Sequence, residues 1–296
     1  EGLDSPVLVA SADGVGTKLK VAIRAGRHDT VGHDLVNHCV DDILVEGARP
    51  LFFLDYIGMG TLDEGVAAEL VDGLARGCRE NGCALLGGET AEMPDFYAPG
   101  EYDLAGLIVG AVEEEGRPGV ERVRAGDALI GLASSGFHTN GYSLLRRLVF
   151  QRLGLDLDDP FPGTEAPVGE VLLRVHRSYA GSILPLLGDG RIHAMAHITG
   201  GGIPGNLERA VPAGLSARVR RSSWDVPAEF RGVMEAGGVA GPEMFHTFNM
   251  GVGMILIADP GAADALTEAL GSAGEEAWMM GTVEERPDDG AAVVLD

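Results

Sequence analysis

The sequence predicts a two-domain protein of mixed α and β structure, of α+β or α/β class. Short apolar runs bounded by turn formers alternate with segments of helical periodicity along the chain. A length of 296 residues accommodates one or two domains with ample core. Gly116-Arg117-Pro118-Gly119 interrupts the pattern just before a fresh strand, which divides 1–117 from 118–296.

Composition narrows the function. The net charge of −23 argues against a nucleic-acid or anionic-membrane surface, and a phosphorylated ligand would need metal ions or a few local cations. No apolar run reaches the roughly 18 residues of a membrane span and no signal segment opens the sequence, so a cytoplasmic location is expected. Cys39, Cys78 and Cys83 lack zinc-ligand spacing and read as reduced structural thiols.

Pro6 to Ala10 reads as a buried strand that delivers Asp13 to its end. Of the 22 Lys and Arg residues only Lys18 and Lys20 are lysine, and both follow this strand. Gly14 and Gly16 allow backbone N–H groups to approach an anion, with Thr17 supplying a hydroxyl and Lys18 a charge. A plain tight turn is the alternative, and the spacing is not that of a Walker A loop. Val31 to Ala48 has helical spacing with Gly47 as its stop, placing Asp34, His38 and Asp42 along one edge. Asp42, in a segment otherwise fit for burial, is a candidate Mg²⁺ ligand; a solvated face is the competing reading.

Leu51 to Ile57 forms a second strand and Val66 to Arg79 an amphipathic helix. Cys83 to Leu86 is a short strand ending in Gly87-Gly88-Glu89, with Glu89 a further metal candidate. Asp103 to Val112 and Ala128 to Ala133 are strands. The loop 134–141 leads into a helix from Tyr142, where Thr139 or Asn140 can cap and prepare an anion site. His138 in this loop is a proton donor, a phosphate contact or an ordinary surface residue. Asp156 to Gly169 reads as an exposed loop. Ile192 to Ile198 runs into Thr199-Gly200-Gly201-Gly202, a glycine run that opens a helix and suits a phosphate, or is only a flexible turn. Thr247 to Met254 leads into another strand, with Asn249 a possible ligand contact. Four such loops, with carboxylates concentrated in the first half, describe a site for a phosphorylated ligand and a Mg²⁺-nucleotide, hence phosphoryl transfer. Cysteine and Ser–His–Asp hydrolytic chemistry are disfavoured by the settings of the cysteines and serines.

DGVGTKLK at Asp13 to Lys20, DDILVEGARPLFFLDY at Asp41 to Tyr56, GGETAEMP at Gly87 to Pro94, GFHTNGYSL at Gly136 to Leu144, HITGGGIPGN at His197 to Asn206 and FNMGVGM at Phe248 to Met254 occur in order over the chain. Together they resemble the phosphoribosylformylglycinamidine cyclo-ligase family. The resemblance implies ATP-dependent ring closure of formylglycinamidine ribonucleotide to aminoimidazole ribonucleotide in purine biosynthesis, through phosphorylation of the formyl oxygen. It implies that Asp13, Asp42 and Glu89 handle Mg²⁺ and that Gly14, Gly16, Thr17 and Lys18 join them on ATP. His138, Lys18 and Asp42 would be catalytic. His138, Asn140, Thr199, Gly200, Gly201 and Gly202 would face the substrate. It implies, finally, an N-terminal ATP-binding and dimerisation domain over 1–117, whose strands share a β-barrel with a second copy in a homodimer. A C-terminal layered α/β domain over 118–296 would carry the substrate loops.

The family usually has Asn where this chain has Asp41, so an added negative charge beside Asp42 is expected. Among superfamily alternatives, a thiamine-monophosphate kinase would favour GGDT over GGETAEMP, and a selenophosphate synthetase would show a Cys or selenocysteine loop. Formylglycinamidine ribonucleotide synthase is much longer. A non-catalytic nucleotide-binding subunit would not be expected to keep Lys18, Glu89 and His138 together.

Overall fold

The first half of the chain builds an open sheet with helices on one face only. A computed structural model describes residues 2–296. Strands β1 (Pro6–Gly14), β2 (Arg49–Met59), β3 (Ala84–Glu92) and β4 (Tyr102–Glu113) lie in the order β1-β4-β2-β3. All pairs are antiparallel except β2 with β3. The short helix α1 (Leu19–Ala25) is followed by α2 (Asp29–Leu44) and α3 (Glu64–Glu80).

α3 begins where Asp63 Oδ1 accepts from the N–H groups of Gly65 (2.9 Å) and Val66 (3.0 Å), an N-cap. It presents Leu70, Leu74 and Cys78 to α2. The helices cross backbone to backbone, because a Cβ at Gly32 would overlap Leu70 O and one at Gly73 would overlap Asp29 O. Of the 16 residues of α2, 14 are buried. The sheet, α3 and the second domain cover it on different sides, so its polar residues must find partners inside the protein.

β3 extends through Gly87, Gly88 and Glu89 to Glu92, so the expected loop after Leu86 is strand. Gly88 is required there because a Cβ would overlap Asp55 O of β2. The outer face of the sheet carries Leu8, Leu51, Leu86 and Leu107, all exposed.

The second domain is a six-stranded sheet of β5 (Ala128–Ala133), β6 (Ile192–His197), β7 (Leu215–Val219), β8 (Val252–Ala258), β9 (Ala277–Glu285) and β10 (Val293–Leu295). Its order is β10-β7-β9-β5-β8-β6. Helices α4 (Tyr142–Arg146, continuing as a π-turn over Arg147–Arg152), α5 (Val168–Leu172), α6 (Ala180–Ile183) and α7 (Gly202–Leu207) precede α8 (Ala228–Gly237), α9 (Gly241–Thr247) and α10 (Ala263–Ser272). Every residue of β8 is buried, since apolar layers cover both faces of the sheet. One layer, including Leu132, Met254 and Leu256, is continuous with the α2 core and fuses the two domains. The stretch 156–169, expected to be exposed, is anchored by fully buried Phe161, which packs 5.7 Å from Phe137 between ring centroids. Burying that ring contributes about 2–3 kcal/mol. Among the described residues no helix is long and apolar enough to cross a membrane.

Candidate active site

α2 is the element on which the site is built. Its edge residues Asp34, His38 and Asp42 run from the protein interior to a cleft between the domains. At the inner end, Lys18 Nζ contacts Asp34 Oδ1 (2.9 Å) and Oδ2 (2.8 Å) and also donates to His138 O (3.1 Å) and Arg174 O (2.6 Å). Both charged side chains are fully buried. Burial pulls the ammonium below its usual range and the carboxyl above it, and their contact opposes both shifts. Lys18, expected on the nucleotide, is therefore withdrawn from the cleft and ties the first domain to two carbonyls of the second. His138 helps by adopting φ 57°, a left-handed conformation that costs a β-carbon residue about 1 kcal/mol or more.

At the outer end lies a cavity of about 600 Å³ lined by Asp13, His38, Asp42, Glu46, Arg117, His197, Thr199 and Arg209, among others. Asp13 comes from β1, Asp42 from α2 and His197 from the last position of β6. His38 Nε2–H donates to Asp13 Oδ2 (2.9 Å) and His197 Nδ1–H donates to Asp42 Oδ1 (2.9 Å). Ser11 Oγ–H donates to Asp42 Oδ2 (3.0 Å). The hydrogen bond from His38 holds Asp13 below the usual carboxylate range. Burial pushes Asp42 up, but the hydrogen bond from His197 and the charge of His38 bring it below that range. Burial opposes the charged form of His38, yet Asp13 and Asp42 raise it overall. The result is two ionised, partly exposed carboxylates whose oxygens lie within 4.8 Å of each other and of a His38 nitrogen.

Asp41 faces the opposite way. It is fully buried, with Oδ1 accepting from Tyr179 N–H (2.9 Å) and Oδ2 3.3 Å from His176 Nε2. Burial pushes its carboxyl well above the usual carboxylate range. The extra negative charge expected beside Asp42 is thereby disfavoured, and the protonated acid offers the same carbonyl acceptor as an amide.

His138 is also interior. Its Nε2 accepts from Ser135 N–H (3.1 Å), its Nδ1 has no hydrogen-bond partner, and its ring stacks on His176 at 4.0 Å. Burial, reinforced by His197 and Lys18, keeps it neutral. Asn140, by contrast, lines a second cavity of about 570 Å³ with Gly16, Thr17, Thr139 and Arg147. Asn140 Oδ1 accepts from Gly200 N–H (3.0 Å), joining the two polar loops. In the glycine run Gly202 N–H bonds Thr199 O (3.0 Å), and Gly202 is required because a Cβ would overlap Phe245 O. Thr199 Oγ1–H donates to Asn206 Oδ1 (3.2 Å). Of the donors expected to cradle a phosphate, those of Thr199, Gly200 and Gly202 are thus committed to loop structure.

Gly14 ends β1 near Asp13, but Glu89 is not brought to the cleft. In the register Gly14–Ala105–Tyr56–Glu89, two strands separate β1 from β3, a span of about 14 Å at normal strand spacing. The residues that sequence reasoning passed over are His176, His197, Arg117 and Arg209. His197 stood inside a quoted motif, at the end of a strand just before the glycines, and that position was its signal.

Residues 3–112 match the AIR synthase related protein N-terminal domain and residues 124–294 the C-terminal domain of the same family. A protein of Trichlorobacter lovleyi named phosphoribosylformylglycinamidine cyclo-ligase is 52% identical over 279 residues, covering 94% of this chain and 80% of its own. One of the same name from Sorangium cellulosum is 52% identical over 285 residues, covering 95% and 82%. Among solved structures, hydrogenase maturation protein HypE in complex with ATP superposes with a TM-score of 0.70 at 20% identity, covering 98% and 81%, a likeness of fold. With both domain matches in order and half of all positions shared with named relatives, the chain belongs to the AIR synthase family.

Proposed function

We propose that the chain closes the imidazole ring of formylglycinamidine ribonucleotide with ATP, giving aminoimidazole ribonucleotide, ADP and phosphate. The observation that carries this reading is the 52% identity to proteins named for that ligase over nearly the whole chain. Chemically, the formyl oxygen is a poor leaving group until it is phosphorylated; the amidine nitrogen then attacks the formyl carbon and phosphate departs. Such a reaction needs positioning and charge stabilisation more than a protein nucleophile.

The cleft residues suit those tasks. Asp13 and Asp42 are a fit for Mg²⁺, being ionised, partly exposed oxygen ligands with room for water and phosphate on the open side. Bound there, Mg²⁺ would screen the charge of the nucleotide phosphates. Ser11 and His197 hold Asp42 in orientation, and His38 holds Asp13. The exposed guanidinium of Arg209 is a phosphate contact in an otherwise acidic protein. Thr17 and Asn140 bring hydroxyl and amide groups to the adjoining cavity for the second ligand.

A homodimer and a cytoplasmic location belong to the same proposal. The uncovered apolar face of the first sheet favours a second copy there, and Glu89 would meet an Asp13–Asp42 pair only from such a copy. Incubating the purified chain with formylglycinamidine ribonucleotide and MgATP should form aminoimidazole ribonucleotide and ADP one for one. ADP without that product would contradict the proposal, and a monomer by sedimentation would contradict the dimer.

A further inference from the structure

We propose that His38, His176 and His197 form a binding site for one divalent ion of the Zn²⁺ class, separate from the carboxylate pair in the cleft, which clamps the two domains together. The three imidazoles come from α2, from the 173–179 connection and from the end of β6, and all are buried. One nitrogen of each lies within 4.8 Å of the others. His176 Nε2 and His197 Nε2 are 3.2 Å apart. Two nitrogens bound tetrahedrally at about 2.0–2.1 Å would be separated by about 3.3–3.4 Å, so the pair already has the bite of a chelate.

Each ring also has the outer partner that orients a metal-bound histidine. His197 Nδ1 is held by Asp42, His38 Nε2 by Asp13 and His176 Nδ1 faces Thr139 Oγ1 at 3.4 Å, so Nδ1 of His38, 2.9 Å from the same hydroxyl, is the nitrogen it would turn over to the ion. Because His197 Nδ1–H faces a carboxylate, its Nε2 carries the lone pair. An independent sign is Asp41 Oδ2: fully buried, without a hydrogen-bond partner, and 3.3 Å from His176 Nε2. It is the oxygen beside the cluster that a cation would satisfy once the carboxyl gives up its proton. Nitrogen donors select Zn²⁺ or Co²⁺, whereas the oxygen pair Asp13–Asp42 selects Mg²⁺.

Entry of the ion releases to solvent the Nε2 proton of His176, which now bonds His197, together with the proton of His38 that is not shared with Asp13 and the acid proton of Asp41. The N–H···N bond and the His38–Thr139 contact are replaced by three metal–nitrogen bonds. Since His38 belongs to the first domain and the other two to the second, the ion would join the domains directly behind Asp13 and Asp42.

The test is titration of the chelator-stripped full chain with Co²⁺, without nucleotide. One equivalent should bind with the intense visible absorption of tetrahedral Co²⁺, persist in excess Mg²⁺, be displaced by Zn²⁺ and raise the thermal midpoint. His176→Ala and His176→Gln should each lose that band and weaken binding at least tenfold. A weak octahedral spectrum, displacement by Mg²⁺, or no binding by the wild-type chain would each overturn the site without reference to a variant. These readouts do not depend on ring closure, so failure here leaves the proposed reaction standing.

Discussion

Lys18→Met is the sharpest probe of how the domains are held. The substitution leaves Asp34 fully buried with its counter-ion gone, and removes the donor to His138 O and Arg174 O. Breaking one side of a buried pair costs about 3–5 kcal/mol, because the remaining charge has no compensation. At about 2–3 °C per kcal/mol for a chain of this size, the thermal midpoint should fall by roughly 6–15 °C. Asp34 Oδ1 also accepts from His176 N–H (2.7 Å), a bond that an asparagine in its place can keep through the amide carbonyl. The double variant Lys18→Met/Asp34→Asn should therefore lose less than the sum of the single variants. Urea denaturation of all four proteins, with KM for ATP measured in parallel, checks this. A loss below about 1 kcal/mol together with a tenfold or larger rise in KM for ATP would refute the reasoning and return Lys18 to the nucleotide.

Asp42→Asn should lower kcat/KM by about 100-fold or more with little loss of stability, since it removes charge from an open position; steady-state kinetics beside a melting curve separates the two. Asp41→Asn should stabilise the chain increasingly as pH rises above 3.8. The folded pKa of Asp41 lies well above the model-peptide 3.8, so its stabilising contribution is complete below 3.8 and is lost as pH rises toward the folded value, whereas Asn does not titrate. Urea midpoints at two pH values report it, and an unchanged gap would mean Asp41 is ionised. Gly253→Ala should cost about 1–3 kcal/mol by overpacking. Its Cβ would overlap Tyr179 Oη and sit 2.8 Å from His138 Cε1, and Tyr179 O–H donates to Ala133 O (2.8 Å). An unaltered melting temperature would contradict that packing.

The regular elements are legible where local signals dominate. Ala128 to Ala133 is read to its ends because it is an uninterrupted apolar run between turn formers, and α2 and α3 because their apolar spacing repeats. The site is legible only in part. The placement of Asp13 and Asp42 at the cleft follows from strand end and helix edge, but the burial of Lys18 does not. That lysine's rarity is visible, while its partner lies 16 residues away on another element. Glu89 looks equivalent to Asp13 in sequence, and only the strand order separates them. His176 stands in a segment without any motif, so nothing local announces that it stacks on His138 and meets His197. The need for glycine at Gly88 and Gly202 is hidden for a related reason, since there the missing side chain makes room for another backbone.

The most direct test of the account follows an oxygen atom. With ¹⁸O in the formyl group of formylglycinamidine ribonucleotide, one turnover by this chain with MgATP should place the label in the released phosphate, because that oxygen is phosphorylated before it leaves. Label found in water, with phosphate unlabelled, would contradict the ring closure by phosphoryl transfer that the cleft is proposed to perform.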